Sequence, residues 1–161
     1  MERQPRIELR EITRATVRDF CRLKVTLEQE HFVAPNAVSI AQAHFHPESW
    51  FRGIVAGDEP VGFAMLEDWT QCPADAPADW CAAPCVGLWR FMIDARFQSL
   101  GYGARALRLL VDHARTRPGA RAMLLSYVPG EGSPLAFYSR SGFVETGEVD
   151  EGERTMRLAF H

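Results

Sequence analysis

The run Ile7-Glu8-Leu9-Arg10-Glu11-Ile12 alternates apolar and polar side chains, the period-two pattern of a half-buried strand. The spacing then lengthens. Val17, Phe20, Cys21, Leu23, Val25 and Leu27 recur as on one side of a helix, which Thr13 or Thr16 can cap. Asn36 is placed to cap a shorter helix through Phe45. Residues 50–56 and 61–69 flank Gly57-Asp58-Glu59-Pro60, which predicts a hairpin of two antiparallel strands. Residues 70–84, rich in Pro, Ala and Asp, read as a long surface loop, and strand character resumes over 85–94. Ala104, Leu107, Leu110, Val111 and Ala114 then keep helical spacing until Pro118-Gly119 ends the pattern. The next apolar run, 122–128, completes a strand–helix–strand crossover. Ser133-Pro134 opens a short helix ending near Gly142, and 143–149 and 155–160 flank Asp150-Glu151-Gly152-Glu153 as a terminal hairpin. With no internal repeat and no low-complexity tract, residues 1–161 read as one α/β domain.

Composition narrows the function classes. At 161 residues and 47% hydrophobic, the chain can bury a core without covalent staples. The formal charge of -3, with both signs interspersed, gives no basic footprint for nucleic acid and no polybasic membrane patch. A small-molecule partner is expected. The charged start Met1-Glu2-Arg3-Gln4-Pro5-Arg6 lacks a signal-peptide core, and no stretch approaches the roughly 20 apolar residues of a membrane span, so a cytoplasmic location is expected. Cys21, Cys72, Cys81 and Cys85 are then expected as reduced thiols. The Cys81–Cys85 spacing is not that of a zinc knuckle, and His31, His44 and His46 read as solvent-facing, so no metal is expected.

The stretch Gln98-Ser99-Leu100-Gly101-Tyr102-Gly103 joins the strand over 85–94 to the helix that follows. Glycines there let the chain turn with its N–H groups exposed, next to the positive end of a helix dipole, which is a way to bind phosphate without lysine. Two glycines at this spacing also fit an ordinary turn.

The whole series of elements carries more. A central strand, a Gln/Arg-x-x-Gly-x-Gly/Ala loop, a helix, another strand and a helix bearing Tyr138 occur in that order, and in this the chain resembles the GNAT superfamily of N-acetyltransferases. The resemblance covers residues 6–160. Segments 28–36, 88–94 and 125–130 are further similar to bacterial spermine/spermidine acetyltransferases. The resemblance implies a mixed sheet of about seven strands with a splayed parallel pair, flanked by about four helices. It also implies acetyl-CoA as cosubstrate and a primary amine, such as a polyamine, as acceptor. Gln98, Gly101, Tyr102, Gly103 and Ala104 would hold the pyrophosphate, and the backbone of Phe91, Met92 and Ile93 would pair with the pantetheine arm.

Tyr138 holds the family's position for the acid that protonates the departing sulfur. The acceptor must lose a proton to attack: for a primary amine of pKa about 10.4 this costs roughly 4.6 kcal/mol at pH 7. Glu28 and Glu30, in a segment that lines the acceptor site in relatives, are the candidate base and cation-binding carboxylates; Asn36 and Trp89 are candidates to shape the same cleft. Departures stand beside these matches. Ser99-Leu100 replaces glycine or basic residues common in relatives, and Glu131 replaces an asparagine. By analogy a homodimer is expected. Two readings stay open, an acetyltransferase acting by direct transfer and a non-catalytic acyl-CoA-binding or polyamine-sensing module.

Overall fold

A computed structural model describes residues 3–77 and 83–161. The elements run β1 (Ile7–Arg10), α1 (Val17–Cys21), α2 (Asn36–Ala43), β2 (Ser49–Ala56), β3 (Glu59–Asp68), β4 (Cys85–Ile93), α3 (Tyr102–Arg115), β5 (Ala122–Tyr127), α4 (Leu135–Arg140), β6 (Val144–Asp150) and β7 (Glu153–Ala159). The strands form one sheet in the order β1-β2-β3-β4-β5-β7-β6, antiparallel except between β4 and β5. That one parallel pair needs a crossover, and α3 supplies it.

The sheet is covered on both faces. On one, α3 packs Leu107, Leu110 and Ala114 onto Ile54, Leu66, Val86 and Met123, and Tyr138 of α4 joins the same cluster. Burial of Leu107 and Leu110, each at most 1% exposed, stabilises the fold by about 1.5–3 kcal/mol per side chain. On the other, Phe20 and Leu23 cover Val55, Phe63, Met65 and Met92. Phe63 and Met65 therefore face one helix layer while Ala64 and Leu66 face the other, as the period of a strand requires.

The first helix is shorter than its apolar spacing predicts. It stops at Cys21 because backbone groups that would continue it are used by the end of β4: Lys24 N–H donates to the Asp94 carboxylate at 2.9 Å, and Ala95 N–H donates to Lys24 O at 2.8 Å. Leu27, expected on the apolar side, is 79% exposed. Asn36 does not cap α2, whose N-cap is Pro35. Its side chain is buried, and it donates to Phe20 O at 2.9 Å and to Met92 Sδ at 3.6 Å, fastening α1, α2 and β4 together. Of the expected loop over 70–84, residues 73–75 form a short 3-10 turn, and 78–82 lie outside the described residues, as does Cys81. Among the described residues Cys21 and Cys72 are free thiols. Among the described residues no helix is long and apolar enough to cross a membrane.

Candidate active site

The parallel pair opens along its length. Residues Cys85, Val86, Gly87 and Leu88 of β4 pair with Ala122, Met123, Leu124 and Leu125 of β5, and there the pairing ends, although β4 runs on to Ile93. On its other side β4 pairs Arg90 with Met65 and Leu88 with Leu66, so Trp89 is an extra residue bulged out of the ladder. A bulge bends its strand and adds twist. Trp89 therefore sits where β4 leaves β5, and the β5-facing edge of residues 89–93 is left free for an extended ligand.

The gap is a cavity of about 840 Å³. Trp89, Phe91, Met92 and Ile93 form one wall, Tyr127, Val128, Phe137 and Tyr138 the other, and Val25, Phe32 and Val33 of the segment between α1 and α2 close one end. Gln98, Ser99, Gly101, Gly103 and Ala104 form its mouth. Gly101 is the N-cap of α3 at φ 81, a conformation that costs a residue with a Cβ about 1–2 kcal/mol. Ser99 adopts φ 65, so the loop makes two left-handed turns before the helix begins. The first backbone N–H groups of α3 have no acceptor within the helix, and the positive end of its dipole lies at the mouth of the cavity.

Asp94 anchors this loop. It is 4% exposed and accepts from Lys24 N–H at 2.9 Å, Arg96 N–H at 3.0 Å and Arg96 Nε at 2.8 Å. Burial pushes its carboxyl up, and the hydrogen bonds from Arg96 and Lys24 outweigh burial to hold it below the usual carboxylate range. Gln98 continues the anchor. Its amide donates to Ile93 O at 2.9 Å and to Gln29 Oε1 at 2.8 Å, and Gln29 returns a hydrogen bond to Gln98 Oε1 at 3.3 Å. The side chain of Gln98 is thus spent on tying the loop before α3 to the end of β4 and to the segment between α1 and α2. Its contribution to an anion would have to come from the backbone.

Tyr138 is buried in the cavity wall, edge-on to Phe137 at 5.2 Å and to Phe143 at 5.8 Å. Burial pushes its phenol well above the usual tyrosine value, so it keeps its proton at neutral and moderately alkaline pH. No hydrogen bond engages its hydroxyl among the described residues.

Four sequence candidates are not brought into this lining. Tyr102 is half-buried and packs against the core cluster under α3, and it is not part of the cavity lining. Asn36 is 3% exposed and committed to Phe20 O, which removes it from the cleft as a substrate contact. Glu28 and Glu30 are exposed and do not line the cavity, to which the short 3-10 turn over 27–29 contributes Gln29 instead. The sequence reading missed Gln29, Asp94, Tyr127, Arg90 and Glu67. For Glu67 a signal exists: it follows Phe63 and Met65 at period two, in register with a buried face.

A sheet parted between its two parallel strands, with a helix N-terminus at the gap, offers a free strand edge and a positive dipole end side by side. The chain belongs to the acetyltransferase (GNAT) family, whose model matches residues 11–143. The spermine/spermidine N(1)-acetyltransferase of Bacillus subtilis (strain 168) is 35% identical over 105 residues, 65% of this chain and 66% of that protein, so the chain spans just under two thirds of the length of this curated relative. The GNAT domain of S. lividans PAT superposes with a TM-score of 0.73 at 14% identity, over 97% of this chain and 90% of that one. Aminoglycoside acetyltransferase AAC(6')-Ib in complex with coenzyme A gives 0.72 at 15% identity, over 96% and 95%. At these identities the structural likeness shows the fold.

Proposed function

We propose that the chain is an N-acetyltransferase that moves an acetyl group from acetyl-CoA directly to a primary amine, with a polyamine such as spermidine or spermine as the acceptor. One observation carries the reading: the gap between β4 and β5 has a free strand edge along one side, a phenol in the other and a helix N-terminus at its mouth. These are the three fittings an acyl-CoA needs, an edge for its amides, a proton for its sulfur and N–H groups for its diphosphate. The residues present suit the ligand, since an added Cβ at Gly101 would meet nothing within 4 Å and the cradle is open. The polyamine acceptor draws on the name of the Bacillus subtilis relative.

In this mechanism the backbone of Phe91, Met92 and Ile93 orients the thioester, and the first turn of α3 takes the diphosphate. Tyr138 gives its proton to sulfur as the C–S bond breaks. Burial keeps the phenol protonated, so it is a hydrogen-bond donor in place when negative charge develops on the sulfur. The free thiols Cys21 and Cys72 fit a cytoplasmic location, where such groups stay reduced. We extend the proposal to a homodimer, because β6 leaves Val144 and Val149 uncovered in the single chain.

The test is release of free thiol from acetyl-CoA with a panel of amines. Wild type is expected to turn over, and Tyr138→Phe to lose roughly tenfold to a thousandfold in kcat with coenzyme A affinity kept. Equal rates remove Tyr138 from the mechanism. Tight cofactor binding with no release across the panel establishes a sensor in place of an enzyme.

A further inference from the structure

A smaller cavity of about 350 Å³ adjoins the main one and shares with it a wall of Phe32, Trp89, Tyr127 and Val128. Leu88, Arg90 and Ser126 line both as well, and the smaller one adds three acidic side chains beside Pro77 and Thr155. Glu67, at the end of β3, is half-buried there, while Asp150 and Glu153, on either side of the turn between β6 and β7, stand exposed at its rim. Three carboxylates thus face one guanidinium, that of Arg90, among the described residues of the lining.

Glu67 occupies a position where a third apolar side chain after Phe63 and Met65 would stabilise the fold more. One of its oxygens accepts from Trp69 Nε1 at 3.3 Å, and no described cation lies within ion-pair distance. Arg90 is held instead on Trp89 O at 3.1 Å and Gln42 Oε1 at 3.3 Å, and its buried Nε has no partner among the described residues. A carboxylate kept half-buried, with no ion pair to the nearby Arg90, on a cavity that borders the proposed thioester site, has the surroundings of a working group.

We propose that the smaller cavity receives the acceptor, with Glu67 at its buried end taking the proton of the entering ammonium and Asp150 and Glu153 at its rim pairing with a second ammonium of the same molecule. This rests on the acetyltransferase reading and adds the residues that choose a dication or polycation over a monoamine. Glu67 removes one proton; the neutral nitrogen attacks the thioester carbon, a C–N bond forms and the C–S bond breaks. Tyr138 protonates the sulfur and is restored by the surplus proton of the nitrogen. The products are an amide, a thiol and a proton on Glu67, which passes to solvent.

The groups around Glu67 set its range. Burial raises its carboxyl, the Trp69 hydrogen bond lowers it, Glu48 from the segment before β2 raises it, and His46 from that segment and Arg90 of β4 lower it, the balance lying above the usual carboxylate value. Asp150 and Glu153 face the same space from the hairpin. A base moved toward neutral pH removes a proton from an amine at less cost than an exposed carboxylate does.

The experiment compares steady-state kinetics and their pH dependence with spermidine and with butylamine, for wild type, Glu67→Gln and the double variant Asp150→Asn, Glu153→Gln. Wild type is expected to favour spermidine in kcat/KM, and the rim variant to lose roughly tenfold of that preference through KM with kcat kept. Glu67→Gln is expected to lose about a hundredfold in kcat with both amines, along with the acid limb of the wild-type profile. It should also melt higher at pH 7 than wild type, because a raised carboxyl costs stability once pH rises above its unfolded value. A Glu67→Gln enzyme with unchanged kcat and profile, or a rim variant with undiminished preference for spermidine, overturns this inference while leaving the acetyltransferase reading intact. Wild type that releases no thiol with any amine overturns both.

Discussion

Asp94 ends β4 with a carboxylate onto which the chain folds from two directions, the Lys24 segment on one side and Arg96 on the other. It thereby fixes both the loop that enters α3 and the segment that closes the cavity near Gln29. Asp94→Asn removes an acceptor and is expected to destabilise the protein by about 1–3 kcal/mol at pH 7, read from denaturant midpoints. Its folded carboxyl is held below the ordinary value, so its stabilisation is complete above the unfolded pKa and is lost as pH falls through the folded one. Wild type should therefore approach the variant on acidification; a difference that is constant down to pH 2 would show that the carboxylate charge is irrelevant. Residues of this kind were hard to read in the sequence. Tyr138 and the glycines at 101 and 103 stand in a recognisable pattern, whereas Asp94 looks like any acid at the end of an apolar run and Glu67 is set apart only by its period-two spacing from Phe63 and Met65. Their roles come from contacts 70 positions away in the chain for Asp94, and from a shared cavity wall for Glu67.

At the scale of elements, most strands and the long helix were legible because each buries a repeating face. The periodicity of Leu107, Leu110, Val111 and Ala114 defines α3, and the two hairpins follow from the turn residues between apolar runs. The segment after α1 was not legible, since its ending depends on Asp94 and Ala95, and the bulge at Trp89 leaves no mark in local pattern. The edge strand β6 carries a different message. All seven of its residues are exposed, and Val144 and Val149 are 68% and 65% exposed, so neither face of the strand is covered within one chain. A second copy packed over this hairpin would bury both valines. Sedimentation at micromolar concentration is expected to give a dimer for wild type and a monomer for the Val144→Lys, Val149→Lys double variant. A monomeric wild type refutes the dimer.

Across the whole molecule, the sheet order places the one parallel junction at the centre, between β4 and β5, with antiparallel ribbons on either side. The three-strand ribbon β1-β2-β3 and the β7-β6 hairpin can each twist with their own central strand. The bulge lets β4 follow the first ribbon away from β5, and the cavity is the space that results. Fold class and the position of the gap could be inferred from element order; the partition of that space into a larger and a smaller chamber could not, because Trp89, Tyr127 and Phe32 meet only in three dimensions. The central claim is that the larger chamber holds acyl-CoA along β4. A crystal structure of the protein with coenzyme A tests it most directly. The account predicts the pantetheine amides on the backbone of residues 91–93, the diphosphate on N–H groups of residues 101–104, and the sulfur within hydrogen-bond reach of the Tyr138 hydroxyl. A ligand seated outside the gap, or a sulfur remote from Tyr138, would contradict it.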